Sequence, residues 1–219
     1  MRTFIVTIWM LAAAELPADT FTTLVASGSG WYDPGTGHQT GTYVAGWEGL
    51  LPDEYRSYFA FNLAGLSGII DSATLSLYVS GYQSQDSSET LGIFDVSTLI
   101  PDLESGTFAY ADLGTGVLFG SAAISLSNIG TRITIDFNAD GVAALNAGQN
   151  EIAFGGAITT LANTFDFSNE LVYGPGALGD FPPYLIVGSK VPEPATVYLL
   201  LTVLAGVTTA SRFRRARRL

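Results

Sequence analysis

The sequence predicts an all-β fold, an antiparallel β-sandwich, for two reasons. Apolar and polar residues alternate in short runs along the middle of the chain, which is the period of strands with one buried face. Clusters of Gly, Ser, Asp and Pro separate these runs at fairly even spacing, as turns do in a sandwich. The chain has 219 residues, so its middle is long enough to bury a core as one domain.

Nine strands are predicted. The alternation is clearest in 72–80, where odd-numbered residues are apolar and even-numbered ones carry hydroxyl groups, and in 131–137, where Ile133, Ile135 and Phe137 alternate with polar residues. The full set of predicted strands is 20–26, 42–47, 55–63, 72–80, 91–96, 117–126, 131–137, 152–158 and 183–187. Two short helical turns are predicted at 96–103 and 138–146, the second with Asn138 as its N-cap.

Composition excludes several classes of protein and site. There are no cysteines, so disulfides, thiolate metal sites and cysteine nucleophiles are ruled out. Between Asp19 and Lys190 the chain carries 18 acidic and 3 basic residues, a formal net charge of 3 − 18 = −15. Such a body repels phosphate backbones, so no nucleic-acid partner is expected. No cofactor is predicted.

The N-terminal residues have the pattern of a secretory signal. Arg2 precedes an apolar run at 4–11, and Ala12, Ala13 and Ala14 follow it. A short basic region, an apolar region and small residues predict a signal peptide over 1–18, with an apolar signal helix, cleaved after about Ala14 or after Ala18. The alternative is an N-terminal strand or core helix. The predicted body, 19–188, is therefore exported.

The C-terminal residues predict a single membrane span. Residues 195–211 carry no charge, and 17 residues at about 1.5 Å rise give a helix of roughly 25 Å, close to the hydrocarbon thickness of about 30 Å. A basic tail, 212–219, follows at once and favours the cytoplasmic side. A buried core helix is the alternative. The basic residues of the tail are Arg212, Arg214, Arg215, Arg217 and Arg218.

The combination at 189–219 resembles a known sorting signal. Val191, Pro192, Glu193 and Pro194, then an apolar span, then terminal arginines, are similar to the PEP-CTERM signal of Gram-negative bacteria. The resemblance implies a substrate of the secretion machinery and of an exosortase, a membrane enzyme that cuts near Pro-Glu-Pro. The body would then move from the outer side of the inner membrane to the cell surface or beyond. The prolines keep the segment extended, although they also suit a helix start.

The body also resembles a second family. The run 58–66, followed by Ile70-Asp71-Ser72-Ala73-Thr74-Leu75-Ser76-Leu77, is similar to the opening of DNRLRE-type jelly-roll sandwich domains. Segments 135–138, 150–154 and 182–187 are similar to later parts of such domains. The resemblance implies a jelly-roll-like fold of the carbohydrate-binding type.

Two groups of residues are candidate sites. For the aromatic group Trp31, Tyr32, Tyr43 and Trp47, core packing is the favoured interpretation, and glycan contact is the alternative, because aromatic rings stack on sugars. Asp136, Asn138 and Asp140 match half of a calcium loop. Ala147 stands where the last ligand belongs, so an N-capped helix is favoured over a calcium site. His38, the single histidine, is expected in a solvated loop.

Together these observations predict an exported protein of the cell envelope or extracellular matrix. It is expected to be structural or adhesive and not an enzyme. The alternative is a carbohydrate-binding module for extracellular polysaccharide. A hydrolase is the third hypothesis. Its active site would need two facing carboxylates, and no spacing of acidic residues in the sequence indicates such a pair.

Overall fold

The computed structural model describes residues 18–49, 53–107, 109–147, 150–162 and 168–191. Within these ranges Thr20–Ser189 form one compact unit built mainly of antiparallel strands. The all-β prediction is therefore confirmed. No helix in the described ranges is long and apolar enough to cross a membrane. The predicted signal peptide, apart from its last residue, and the predicted span 195–211 lie outside them.

Thirteen strands lie in the described part of the chain. They are β1 (Ala18–Val25), β2 (Gly28–Tyr32), β3 (His38–Thr40), β4 (Thr42–Glu48), β5 (Asp53–Asn62), β6 (Ile69–Tyr78), β7 (Gly81–Gln83), β8 (Glu89–Asp95), β9 (Leu118–Ile124), β10 (Arg132–Asp136), β11 (Glu151–Ile158), β12 (Glu170–Pro175) and β13 (Tyr184–Val191). All nine predicted strands are among them, with ends that differ by a few residues.

The sequence pattern does not predict β2, β3, β7 and β12. The sequence of β2, Gly-Ser-Gly-Trp-Tyr, does not alternate, because four of its five residues are buried. β3 and β7 have three residues each, too few to show a period. β12 begins with the charged residue Glu170 and ends in Gly-Pro, which is typical of a turn.

The helical segments are short, and both predicted turns are present. α1 (Ile100–Ser105) ends at Gly106, which has a φ of 85°, a conformation that glycine adopts without strain. α2 (Ala139–Leu145) begins after Asn138, whose side chain accepts a hydrogen bond from the Gly141 N–H at 3.0 Å. Two 3₁₀ turns, Tyr110–Gly114 and Leu126–Asn128, complete the set in the described residues.

The strands form two antiparallel sheets. The smaller sheet has the order β1-β13-β6-β10, and the larger one has the order β7-β12-β4-β5-β11-β8-β9. β5 is the branch point of the larger sheet: it pairs with β4 through 53–55 and with β2 through 56–60, and β2 also pairs with β3. This branching brings β2 and β3 close to β4 and its neighbour β12.

The main core contains buried residues of both sheets. On the smaller sheet Leu77 is paired with Ile133 and Leu75 with Ile135, so the predicted alternation of these strands is confirmed. Residues of the larger sheet in the same core include Phe59, Phe61, Leu91, Ile93 and Phe154. The two sheets therefore share one apolar layer, as in a sandwich.

A second, smaller core involves the larger sheet and its covering helical turns. It consists of Tyr32, Tyr58, Leu103, Ala109, Leu113 and Ala153. Leu103 belongs to α1 and Leu113 to a 3₁₀ turn. In β5, Tyr58 joins this core while its neighbour Phe59 joins the main one, because successive side chains of a strand point to opposite faces.

Two of the body's few cations are used in packing. The Arg56 guanidinium lies 4.3 Å from the centre of the Tyr110 ring, and its Nε is 2.8 Å from Glu54 Oε1. The Arg132 guanidinium lies 4.2 Å from the centre of the Tyr184 ring and donates to the Pro182 carbonyl at 2.9 Å. Such contacts are worth about 0.5–2 kcal/mol each and hold both side chains in place.

Asp112 fixes the segment that follows β8. Its carboxylate accepts hydrogen bonds from the backbone N–H and the hydroxyl of both Ser97 and Thr98, at 2.7–3.0 Å. Partial burial raises the pKa of Asp112, but the hydrogen bonds outweigh it, so the pKa lies below its ordinary value.

Replacing Asp112 with alanine is expected to lower the free energy of unfolding at neutral pH by about 1–3 kcal/mol, because four donors lose their acceptor. Since the folded-state pKa is depressed, the contribution is present above the unfolded pKa of about 4 and is lost as pH falls through the folded value. Urea unfolding at neutral and at acidic pH measures this, with exposed Asp180→Ala as control. A loss that is equal at both pH values would contradict the prediction.

Candidate functional site

A cleft of about 620 Å³ lies on the larger sheet, lined by residues of β2, β3, β4, β5, β7 and β12. Its volume falls in the range of small-ligand sites. Strand alternation places its walls: Ala45 and Val172 point into the main core, whereas Val44 and Tyr173 line the cleft. The aromatic, amide and acidic side chains of the lining that are not fully buried are Trp31, Gln39, Glu48, Tyr55, Gln83 and Tyr173.

Two aromatic rings form a corner of the cleft. Trp31 on β2 and Tyr55 on β5 make a T-shaped contact, with ring centroids 5.0 Å apart and planes at 89°. Both residues are half-buried. Trp31 is directed to the cleft because its neighbour Tyr32 occupies the smaller core. Edge-to-face contacts of this kind are favourable, so the corner is held in shape without a ligand.

A third ring, Tyr173, lies on the neighbouring strand. A Cβ atom at Gly81 would overlap the Tyr173 ring, so the ring lies against the backbone of β7, and a larger residue there would displace it. The Gln83 side chain donates to the Tyr173 hydroxyl at 3.3 Å, and Asn169 donates to Gln83 at 2.8 Å. These contacts position one aromatic ring and one amide on the same side of the cleft.

Glu48 joins the aromatic corner through a hydrogen bond. The Tyr55 hydroxyl donates to Glu48 Oε2 at 2.7 Å. Burial raises the pKa of Tyr55, and the hydrogen bond and negative charge of Glu48 raise it further. The phenol therefore stays protonated and keeps donating to the carboxylate. Among the residues that line the cleft, Glu48 is the one that carries a charge.

These groups are suited to binding a polyhydroxylated ligand. Aromatic rings can stack on the apolar faces of sugar rings, and the amides and hydroxyls of Gln39, Thr42, Ser80 and Gln83 can bond to sugar hydroxyls.

The four aromatic residues that are candidates for glycan contact occupy different environments. Trp31 lines the cleft, and Tyr43 borders it but is fully buried in the main core. Tyr32 is buried under α1, where its hydroxyl donates to the Leu103 carbonyl at 2.8 Å. Trp47 is half-buried and pairs with Glu170 across β4 and β12. Of the four rings, Trp31 is thus the one that lines the cleft without being buried in a core. Tyr55 and Tyr173 also line the cleft, and the sequence pattern did not predict them.

The residues of the half calcium loop have structural contacts. Asp136 accepts a hydrogen bond from Thr74 at 2.7 Å. Asn138 caps α2 and also donates to the Leu118 carbonyl at 2.7 Å. Asp140 is exposed in the first turn of α2. The helix-cap alternative accounts for the side chain of Asn138.

A different group of described residues has the geometry to hold a metal ion. Asp86, Glu89 and Glu170 each bring a carboxylate oxygen to within 4.8 Å of the others, and the two glutamates are buried. Oxygen ligands of this kind suit a hard cation such as Ca²⁺. The two glutamates also accept hydrogen bonds from residues outside this group. Glu89 accepts from the Ser84 and Thr160 hydroxyls, and Glu170 accepts from the Ala162 N–H. Pairing of β12 with β7 and β4 brings these distant residues together, so the sequence gives no spacing signal.

His38 differs from the expectation of a solvated loop residue. It begins β3, is half-buried, and its ring centroid is 4.4 Å from that of Tyr32 and 6.5 Å from that of Tyr58. The prediction was wrong because pairing of β3 with β2 covers the ring. His38 Nε2 and the Tyr58 hydroxyl are buried without a hydrogen-bond partner in the described part of the chain.

The residues predicted for sorting lie at the edge of the described chain or outside it. Val191 is the last residue of β13. Pro192, Glu193, Pro194 and the five arginines of the tail lie outside the described residues.

Comparisons with known proteins do not assign the chain to a family. No protein-family model matches the sequence, and no curated protein is significantly similar to it. Among solved structures, the K1 cleaved adhesin domain of Lys-gingipain (Kgp) from Porphyromonas gingivalis W83 is 16% identical over a match that covers 78% of this chain and 99% of that domain. The TM-score of 0.28 is too low to indicate a shared fold.

Proposed function

We propose that this chain is an exported, non-catalytic adhesive protein that binds extracellular polysaccharide through the cleft and is sorted by an exosortase. The observation that carries the binding role is the cleft itself, in which Trp31, Tyr55 and Tyr173 are combined with side-chain amides and hydroxyls. Adhesion needs only such a surface, since binding does not require a nucleophile or a general base.

A jelly-roll arrangement of the body is part of the proposal, and the strand order supports it. A jelly roll has eight strands, and here they would be β1, β5, β6, β8, β9, β10, β11 and β13, counted as first to eighth in chain order. The smaller sheet then contains the first, eighth, third and sixth strands, in that order. In the larger sheet the second, seventh, fourth and fifth are neighbours. This is the order produced by two Greek keys. β2, β3, β4, β7 and β12 are then additions, and together with Tyr55 of β5 they form the cleft.

Sorting is supported by the sequence and by the position of the last strand. The Val-Pro-Glu-Pro motif, the apolar span and the arginine tail follow one another at 191–219. β13 ends at Val191, so a cut just beyond it would leave every strand of the sandwich in the released body. The proposed partners are the secretion machinery, the exosortase and, before cleavage, the inner membrane.

The sorting role is tested by the intact mass of protein recovered from the cell surface and the medium. In cells with the exosortase we expect a C terminus near 191–194, and in cells without the enzyme we expect uncut protein. Protein that ends at Leu219 in both strains would contradict sorting and would leave an ordinary single-span protein.

Replacing Trp31 with alanine is expected to weaken binding to polysaccharide roughly ten- to a hundredfold, because an aromatic ring that stacks on a ligand typically contributes about 1.5–3 kcal/mol. Affinity gel electrophoresis with neutral polysaccharides measures this. The matched control is Phe21→Ala, which removes a ring that is 73% exposed on the smaller sheet. Equal retardation of the two variants would contradict a role for the cleft.

A further inference from the structure

We infer that the cleft selects uncharged polysaccharides and rejects acidic ones. This inference rests on the proposed polysaccharide-binding function and specifies its ligand class. Three observations support it: the charge that lines the cleft, the charges that surround the cleft, and the contacts of the two described arginines.

The local charge of the cleft is negative. Glu48 is the charged residue of the lining, and one of its oxygens faces the Tyr55 hydroxyl at 2.7 Å. A uronate or sulfate group bound against the aromatic corner would lie beside this carboxylate. Like charges brought together in a partly desolvated site repel strongly, which discriminates against the wrong ligand.

Acidic groups outside the lining act in the same direction. Besides Glu48, the charges of Asp53 and Asp33 contribute to raising the pKa of Tyr55. Three carboxylates therefore act on the hydroxyl at the centre of the corner. A negatively charged ligand at this corner would therefore be repelled by all three carboxylates.

Among the described residues, none of those that line the cleft is basic. Arg56 is bonded to Glu54 and packed on Tyr110, and Arg132 is bonded to the Pro182 carbonyl and packed on Tyr184. Neither arginine lines the cleft. An acidic sugar would have to be bound without the arginine or lysine partner that sites for carboxylates and sulfates normally provide.

The neutral groups of the cleft match the hydroxyls of an uncharged sugar. Gln39, Thr42, Ser80 and Gln83 line it, and amides and hydroxyls can both donate and accept hydrogen bonds. With the three aromatic rings, these groups recognise hydroxyls and C–H faces without needing a charge on the ligand.

The test uses pairs of polymers that share a backbone and differ in charge: dextran with carboxymethyl-dextran, and hydroxyethylcellulose with carboxymethylcellulose. Binding is measured by affinity gel electrophoresis of the full chain in a mild detergent. The five tail arginines are replaced by glutamine in all samples, because they would attract acidic polymers. Glu48→Gln is the cleft variant. Glu151→Gln, an exposed glutamate of β11 away from the cleft, is the control with the same change in net charge.

We expect at least one neutral polymer to retard the protein, with binding of its acidic partner weaker by about tenfold or more. Glu48→Gln is expected to narrow that difference several-fold, and Glu151→Gln is not. If an acidic polymer binds as tightly as its neutral partner, the inference fails while polysaccharide binding stands. If the two variants narrow the difference equally, the role of Glu48 is wrong. If no polymer of either kind binds, the proposed function fails, and the inference fails with it.

Discussion

Replacing Pro192, Glu193 and Pro194 with alanine is expected to abolish release of the body, leaving protein that still ends at Leu219 in the inner membrane. Proline disfavours both helix and strand pairing, so the natural sequence predicts an extended segment. Alanine has the highest helix propensity, and three alanines would favour extension of the predicted apolar helix back towards Val191. A protease that needs an extended substrate would then lose its site. Membrane fractionation and intact mass measure the outcome.

The control for this variant is Pro34→Ala, in an exposed loop of the body. It removes a proline without changing the motif and should be processed normally. A triple-alanine variant that is cut at the usual place and reaches the surface would refute the assignment of 191–194 as a sorting motif.

Replacing Phe154 with alanine is expected to lower the free energy of unfolding by about 3–5 kcal/mol, the usual cost of removing a fully buried phenylalanine. The Phe154 ring is 0% exposed, and its centroid lies 4.9 Å from that of Phe137 and 6.0 Å from those of Phe61 and Phe119. Its removal opens a cavity between rings of separate elements, which cannot close without moving a strand.

Urea unfolding measures this loss. Phe21→Ala is again the matched control, because its ring is 73% exposed and its removal should change stability by about 0.5 kcal/mol or less. Similar losses for Phe154→Ala and Phe21→Ala would mean that the aromatic cluster is not the centre of the core.

The fold was predictable from the sequence where a strand has one buried and one exposed face. β6 and β10 alternate because Leu75, Leu77, Ile133 and Ile135 face the core while their neighbours face outwards. β2 has buried residues on both faces of the strand, so the same period is absent from its sequence. β3 and β7 are too short to show a period, and β12 ends in Gly-Pro, which is typical of a turn.

The candidate site was predictable only in part for the same reason. Trp31 and Tyr32 are adjacent and chemically alike, yet one lines the cleft and the other is buried under α1. Which of the two faces outwards depends on where β2 pairs along β5. Tyr55 and Tyr173 come from strands far apart in the chain, and the pairing of β4 with both β5 and β12 brings them to one cleft.

The central claim, that the cleft binds polysaccharide, is tested most directly by tryptophan fluorescence. The chain has three tryptophans, and replacing Trp9 and Trp47 with phenylalanine leaves Trp31 as the single reporter. Titration with cellohexaose, laminarihexaose and mannohexaose should change the Trp31 emission saturably for at least one of them. If the two phenylalanine substitutions leave the unfolding transition unchanged and the Trp31 emission stays constant with all three hexasaccharides, the claim is contradicted.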